Sequence, residues 1–191
     1  MEYIKRKIKK DIMQQILDSF VELTGIRAAY FDDYKELING KNKKHCEFCT
    51  YINQVPALHQ LCLDSDKNAC MESEQSGKTL LYKCHMGLWE VICPVHIRGY
   101  SAGYLMLGQV KGSENKGGSK DMIKRKLSSG GVSDDIITKA VEAFDRMQTY
   151  DSARINAAAR MLELISRYMM ETEIVRVYDV EAIEKSKEMI S

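Results

Sequence analysis

Six cysteines stand out among the 191 residues. Five follow the pattern C-x2-C-x12-C-x7-C-x13-C from Cys46 to Cys84, and Cys93 follows further on. The last two lie in the run KCHMGLWEVICPV, where a cysteine adjoins a histidine and the chain's single tryptophan, Trp89, precedes a cysteine–proline step. Two thiolates at this close spacing can form one knuckle of a tetrahedral metal site, which marks Cys46 and Cys49. A second C-x2-C is absent, so the remaining ligands must come from isolated cysteines. Cys62 and Cys70 sit eight positions apart on an expected helix, a rise of about 12 Å. Sulfurs sharing one zinc lie about 3.8 Å apart, so a single ion takes one of the two. The expected metal set is Cys46, Cys49, Cys62 and Cys84, with zinc or an iron–sulfur cluster as the bound species. The competing reading is that free cysteine is a small buried hydrophobe, which suits Cys93 inside VICPV.

Cys84 and His85 are neighbours on an expected strand, so their side chains should point to opposite faces. That argues against a thiolate–imidazole pair within the dipeptide. His85, Trp89, Tyr104 and Gln109 are polar or amphipathic residues amid apolar runs. Buried polar groups need partners, and a small polar ligand could supply them, so these four are the ligand-binding candidates. No phosphate-binding glycine loop, zinc-protease helix or nucleophile elbow occurs. Cys84, His85 and Glu90 are the nearest thing to a catalytic set, with no device to stabilise an oxyanion or phosphate. The expectation is a protein that is not an enzyme.

The elements that must position these residues can be read from periodicity. Ile4 to Leu23 reads as an amphipathic helix on Ile8, Ile12, Ile16, Phe20 and Leu23, stopped by Gly25. IRAAYFDD and KELINGK read as two strands around a turn at Asp32 and Asp33. The cysteine-bearing segment after them reads as two helical pieces broken near Pro56, the second running from Ala57 to Ser76 and ending at Gly77. TLLYKCHMG, WEVICPVHI and GYLMLGQV read as a three-stranded meander, with a turn at Arg98-Gly99-Tyr100. Lys111 to Asp121 reads as loop. Ser133 can cap a helix carrying Ile136, Ile137, Ala140, Val141 and Phe144. A longer helix is expected from Ser152 to Tyr178, with Ile155, Ala158, Leu162, Ile165 and Met169 as a heptad-like seam suited to self-association. This order is an α+β pattern: a central antiparallel sheet of about five strands with inserted and flanking helices.

Composition narrows the function classes. Hydrophobic residues make up 45% and charged residues 29%, and the net charge is +1, so no global bias points to nucleic acid or an anionic membrane. The basic start lacks the apolar core of a signal peptide, and no apolar run approaches a membrane span. The chain is therefore placed in the cytoplasm, where cysteines are more often buried residues, metal ligands or redox centres than disulfides.

The segment Phe48 to Gln109 resembles the PocR-type ligand-binding domain, a PAS-like sensory module of bacterial and archaeal signalling proteins. The matching residues are Phe48-Cys49, Cys62 with Asp64-Ser65-Asp66, and Tyr82-Lys83-Cys84-His85-Met86-Gly87-Leu88. Pro94-Val95, Gly99, Gly103-Tyr104 and Gly108-Gln109 follow, and the chain carries CHMGL where the family usually shows CHAGL. The resemblance implies a sensor of small organic molecules, propanediol-like compounds among them, acting beside a signalling or transcription-regulatory output module. On this reading residues 1–150 are the sensory domain with its N-terminal helix, and residues 151–191 are a C-terminal signalling or dimerisation helix in a homodimer. Contact with an output domain or protein partner is expected, and direct contact with nucleic acid is not. The alternative is a cysteine-based metal or redox sensor.

Overall fold

The computed structural model describes residues 4–32, 35–40, 45–97, 100–114, 118–172 and 174–179. Its elements in chain order are β1 (Ile4–Ile8), α1 (Lys10–Thr24), β2 (Arg27–Asp32), β3 (Lys35–Asn39), α2 (Glu47–Asn53), α3 (Pro56–Ser76) and β4 (Leu80–Lys83). Then follow β5 (Trp89–Ile97), β6 (Tyr100–Gly112), α4 (Gly118–Ser129), α5 (Asp134–Arg146), β7 (Thr149–Tyr150), α6 (Ser152–Glu171) and β8 (Val175–Asp179). The main sheet runs β3-β2-β6-β5-β4, all antiparallel, with β7 added in parallel beside the end of β6. This is the α+β, PAS-like arrangement: five strands with α2 and α3 inserted after the second.

Strand alternation separates two faces. Ala28, Tyr30, Val91, Cys93, Val95, Leu105 and Leu107 join one core cluster with α1 and α6. Ala29, Phe31, Ile92, Tyr104 and Met106 join another with Ala69 and Cys70 of α3. A third cluster lies beside the sheet, where Phe48 and Ile52 of α2, Met86 and Leu88, Ile123 and Leu127 of α4, and Ile137 and Phe144 of α5 meet. Phe48 and Phe144 touch edge to face with centroids 5.3 Å apart.

Three expectations require correction. The first helix does not begin at Ile4: residues 4–8 are β1, and its partner β8 comes from the far end of the chain. The buried stripe of α1 is Met13, Leu17, Phe20 and Val21, whereas Ile12 and Leu23 are exposed. The last helix stops at Glu171, not Tyr178, because residues 175–179 pair with β1. Both errors share one cause: a two-stranded pairing across nearly the whole chain leaves no local periodic signal. Ile155, Ala158, Leu162 and Met169 of the expected seam are buried in the core cluster of α1, α6 and the sheet.

The third correction concerns Cys84 and His85. They lie in the turn between β4 and β5, not on a strand. Cys84 N–H donates to Leu88 O at 2.9 Å and Gly87 N–H donates to Cys84 O at 2.8 Å. Face alternation therefore does not govern the pair. The inserted helices match expectation closely, with Pro56 opening α3 and Gly77 closing it. Ser133 occupies the cap position of α5 without a side-chain capping bond. The expected turn at Arg98-Gly99 and the residue Asp33 lie outside the described residues. The expected loop at Lys111–Asp121 is shortened at both ends by β6 and α4.

Candidate functional site

A cavity of about 560 Å³ opens between the sheet, α2 and the first half of α3. Its apolar wall includes Phe31, Ile52, Leu63, Met86 and Met106. Helix α3 supplies His59, Gln60, Asp64, Asp66 and Lys67 to its polar wall, and a row of residues crossing the sheet supplies the rest of it with Arg27, Gln109 and Glu90. Arg27 on β2 stands opposite Gly108 on β6, and Tyr82 on β4 stands opposite Glu90 on β5. Between them β6 carries a bulge. Trp89 pairs with Val110 and Val91 with Leu107, so Gly108 and Gln109 together face Glu90 alone. Gln109 holds a φ of +63°, the only positive φ outside glycine among the described residues. Regular alternation would put Gln109 on the α6 face; the extra residue turns it to the cavity instead. Gly108 is needed because a Cβ there would lie 3.3 Å from the Glu90 carboxyl carbon.

Glu90 is buried, and the Tyr82 hydroxyl lies 3.1 Å from Glu90 Oε2 and 3.1 Å from Asp66 Oδ1 of α3. One hydroxyl proton cannot serve two carboxylates at once. Burial pushes the Glu90 carboxyl well above its ordinary range, and the Asp66 charge beside it, with which it shares a hydrogen bond, pushes the same way. The raised Glu90 carboxyl and Asp66 share a hydrogen bond that needs a proton between them, while the Tyr82 hydroxyl donates to a carboxyl oxygen. Burial and the same two carboxyls hold the Tyr82 phenol far above its ordinary range. Tyr82, Glu90 and Asp66 form a hydrogen-bonded cluster in which Glu90 and Asp66 line the cavity and Tyr82 bridges the two carboxyls. His59 also lines the cavity, and its Nδ1 is buried with no hydrogen-bond partner among the described residues.

The four ligand-binding candidates separate. Gln109 lines the cavity and ties it to α2: its Oε1 accepts from Cys46 N–H at 2.6 Å, and its Nε2 lies 2.5 Å from His45 Nδ1. His85 touches the cavity wall through Cys62, with Nε2 3.1 Å from Sγ. Tyr104 is buried beside Phe31 and Met106, under α3. Trp89 is on the other face of β5 from Glu90, packed against the α1–α6 cluster. Its indole N–H donates to Glu114, and Lys83 Nζ lies 4.6 Å from its ring centroid.

The cysteines also separate. Cys49, Cys62 and Cys84 line the cavity, whereas Cys46 lies just before α2 with its sulfur accepting from Cys49 N–H at 3.5 Å. Among the described residues, no group of three or more His, Cys, Asp or Glu side chains is arranged to hold a metal ion. The hydrogen bond from the Cys49 thiol holds the Cys46 thiol below its ordinary range, while Cys49 is pushed well above its own by that bond and by burial. Burial pushes Cys62 and Cys84 up to about 12. Burial, with Lys126 nearby, lowers His85 to about 4. Cys62 and His85 thus meet as neutral thiol and neutral imidazole, not as the charged pair a cysteine nucleophile requires.

A family profile described as a sensory domain found in PocR matches residues 7–174. The chain belongs to the PocR sensory-domain family. Regulatory protein PocR of Salmonella typhimurium (strain LT2) is 27% identical over 108 residues, covering 54% of this chain and 34% of that protein. The chain thus spans about a third of that relative's length. No solved structure matches the chain. Among the described residues no helix is long and apolar enough to cross a membrane.

Candidate selection from the sequence missed the centre of the polar wall. In the sequence Glu90 stands out only beside Cys84 and His85, and Asp66 and Tyr82 only through the family resemblance. The available signal was a carboxylate, one step out of phase with Trp89, inside the apolar run WEVICPV. Arg27 carried no signal beyond opening a strand.

Proposed function

We propose that the chain senses a small, neutral, hydroxylated organic molecule held in the cavity against Glu90 and Asp66, the two lining carboxyls that Tyr82 bridges. The observation carrying this reading is the hydrogen-bonded carboxyl pair Glu90 and Asp66 on the wall of a cavity that also presents Phe31, Ile52, Leu63, Met86 and Met106. A hydroxyl both donates and accepts, which suits a wall that presents a carboxylic acid and a carboxylate side by side. With Glu90 protonated, Arg27 and Lys67 balance Asp64 and Asp66 on the lining, so the cavity favours no net charge on its occupant. Propanediol-like compounds, which the family resemblance implies, have this character. A screen of short diols against matched carboxylates, followed by thermal unfolding, tests the class. Stabilisation by diols alone supports it; stabilisation by carboxylates alone overturns it.

Binding would act by favouring one docking of α2 and α3 over another, which requires the ligand to prefer one state. Gln109 links the cavity wall to α2, and α6 packs across β5 and β6, so an output module or a second copy of the chain could read the shift from α6. Locking α6 by a crosslink should then change ligand affinity, and unchanged affinity would count against the relay. Cytoplasmic placement and the absence of direct nucleic-acid contact belong to the same proposal.

The second reading is a metal or redox sensor on Cys46, Cys49, Cys62 and Cys84. Its support is that three of these sulfurs share the cavity wall; against it stands the lack of a gathered ligand set among the described residues. Metal analysis and an absorption spectrum of anaerobically purified protein decide it. One zinc or an iron–sulfur band per chain would make the sulfurs ligands, and neither would return them to the wall.

A further inference from the structure

We infer that the cavity has a second polar end, at His59 and Asn53, and that its ligand is an elongated molecule with a hydroxyl at each end and a hydrocarbon middle longer than a three-carbon diol offers. The inference rests on the hydroxyl-binding reading of Glu90 and Asp66 and extends it along α3. His59, Cys62, Leu63 and Asp66 all line the cavity. Their spacing of three and four residues places them in one stripe along the helix. Contacts to the sheet fix the direction of that stripe. Asp66 lies 3.1 Å from the Tyr82 hydroxyl of β4. One turn earlier, Cys62 meets His85 in the turn after β4, with Sγ 3.1 Å from Nε2. His59 stands a further turn toward the start of α3, where its N–H donates to Val55 O at 2.8 Å. Asn53, the last residue of α2, lines the cavity from the other side of the link between the two helices.

The His59 imidazole is the group in this stripe whose polarity the fold does not use. Its Nδ1 is buried with no hydrogen-bond partner among the described residues, although the residue lines the cavity. Such an atom costs stability, and a buried polar group without a partner calls for a bound molecule to supply one. The ring turns readily about its second side-chain torsion and can offer a nitrogen to an occupant. A hydroxyl serves whichever nitrogen carries the proton, because it both donates and accepts. The Asn53 amide, which carries both donors and an acceptor, suits the same group.

Length then selects the ligand. Seven residues separate His59 from Asp66, close to two full turns and a rise of about 10 Å. With C–C bonds of about 1.5 Å, a three-carbon diol holds its oxygens no more than about 5 Å apart. Seated on Glu90 and Asp66, it leaves His59 unmet. A terminal diol of about six carbons, with oxygens about 9 Å apart when extended, spans the interval. Cys62 and Leu63 stand between the two ends on α3, and Ile52 and Met86 add apolar wall, which suits a hydrocarbon middle. The volume of about 560 Å³ falls in the range of about 300–1,000 Å³ that holds drug-sized molecules, well above what a three-carbon diol fills.

The test titrates terminal diols of three to eight carbons into the full chain by calorimetry. The wild type is expected to bind the six-carbon diol at least tenfold more tightly than the three-carbon one, with affinity falling again at eight carbons. The six-carbon alcohol with a single hydroxyl should lose that gain, whereas apolar burial alone would keep it. His59→Leu should reduce the six-carbon diol to the affinity of the three-carbon one and leave the latter unchanged. His59→Gln, which restores a polar group, should recover part of the preference. NMR of wild type with isotope-labelled histidine reads the same contact without mutation: the six-carbon diol should shift the His59 ring nitrogens and the three-carbon diol should not. Equal affinity along the series overturns the inference, as does a gain kept by the single-hydroxyl alcohol or a His59 ring that the six-carbon diol leaves unshifted. In each of those cases three-carbon binding that Glu90→Gln weakens leaves the Glu90–Asp66 reading standing. Binding of no diol at any length overturns both.

Discussion

Glu90 is the residue on which the site turns. A buried carboxyl that shares its proton with Asp66 makes folding depend on pH in a defined direction. The folded chain binds this proton more tightly than the unfolded chain does. Its stabilising contribution is complete below the ordinary carboxyl value of 4.5 and is lost as pH rises toward the raised folded value. Glu90→Gln keeps the shape and hydrogen-bonding capacity while removing the titration. Thermal unfolding followed from acid to neutral pH should show a steeper loss for the wild type than for this variant. Parallel profiles would contradict the shared proton. Glu90→Ala deprives Tyr82 and Asp66 of a partner and is expected to cost about 1–3 kcal/mol, measured by denaturant unfolding. The same residue shows what the sequence makes legible. Trp89 was the more conspicuous side chain, but period-two alternation sends it to the opposite face. Gln109 was chosen as a polar residue in an apolar run, and it reaches the cavity only because a bulge reverses its direction. Composition can find such residues, but only the register of the paired strand decides where they point.

At the scale of elements, the β6 bulge and the tight packing of β2 on β6 set the cavity floor. Gly103 has a φ of +121°, and a Cβ there would meet Phe31 O at 2.4 Å. Strain and overlap act together, so Gly103→Ala is expected to cost about 3 kcal/mol or more in chemical denaturation. Gly108→Ala meets a side chain, not backbone, and can be relieved by moving Glu90. It should cost about 1–3 kcal/mol. Its ligand affinity should fall with it; full retention of affinity would remove Gly108 from the account. The inserted helices and the meander were legible because Pro56, Gly77 and the runs of β-branched residues mark their ends locally. The β1–β8 ribbon was not, since each strand acquires its partner only when the chain has folded. The turn at Cys84-His85 was obscured for a related reason: CHMGL continues the apolar pattern of β4 while its backbone has already reversed.

At the scale of the whole molecule, the sheet separates two tasks. One face packs most of the core against α1 and α6; the other, with α2 and α3, encloses the cavity. The α6 seam illustrates the limit of pattern reading, because the same spacing serves a helix packing on its own sheet or on a second copy. Leu162 is fully buried in that core. Leu162→Ala is expected to cost about 2–5 kcal/mol in a single cooperative transition monitored by circular dichroism. The central claim, that the Glu90–Asp66 wall receives a neutral hydroxylated ligand, is tested most directly by calorimetric titration. Short diols that stabilise the wild type would be titrated into wild type and Glu90→Ala side by side. At a concentration of about 100 times Kd such a ligand stabilises by about 2.7 kcal/mol, or about 5–10 °C in melting temperature. The account predicts saturable binding to the wild type and at least a tenfold loss of affinity in the folded variant. Equal affinity in the two proteins would contradict it.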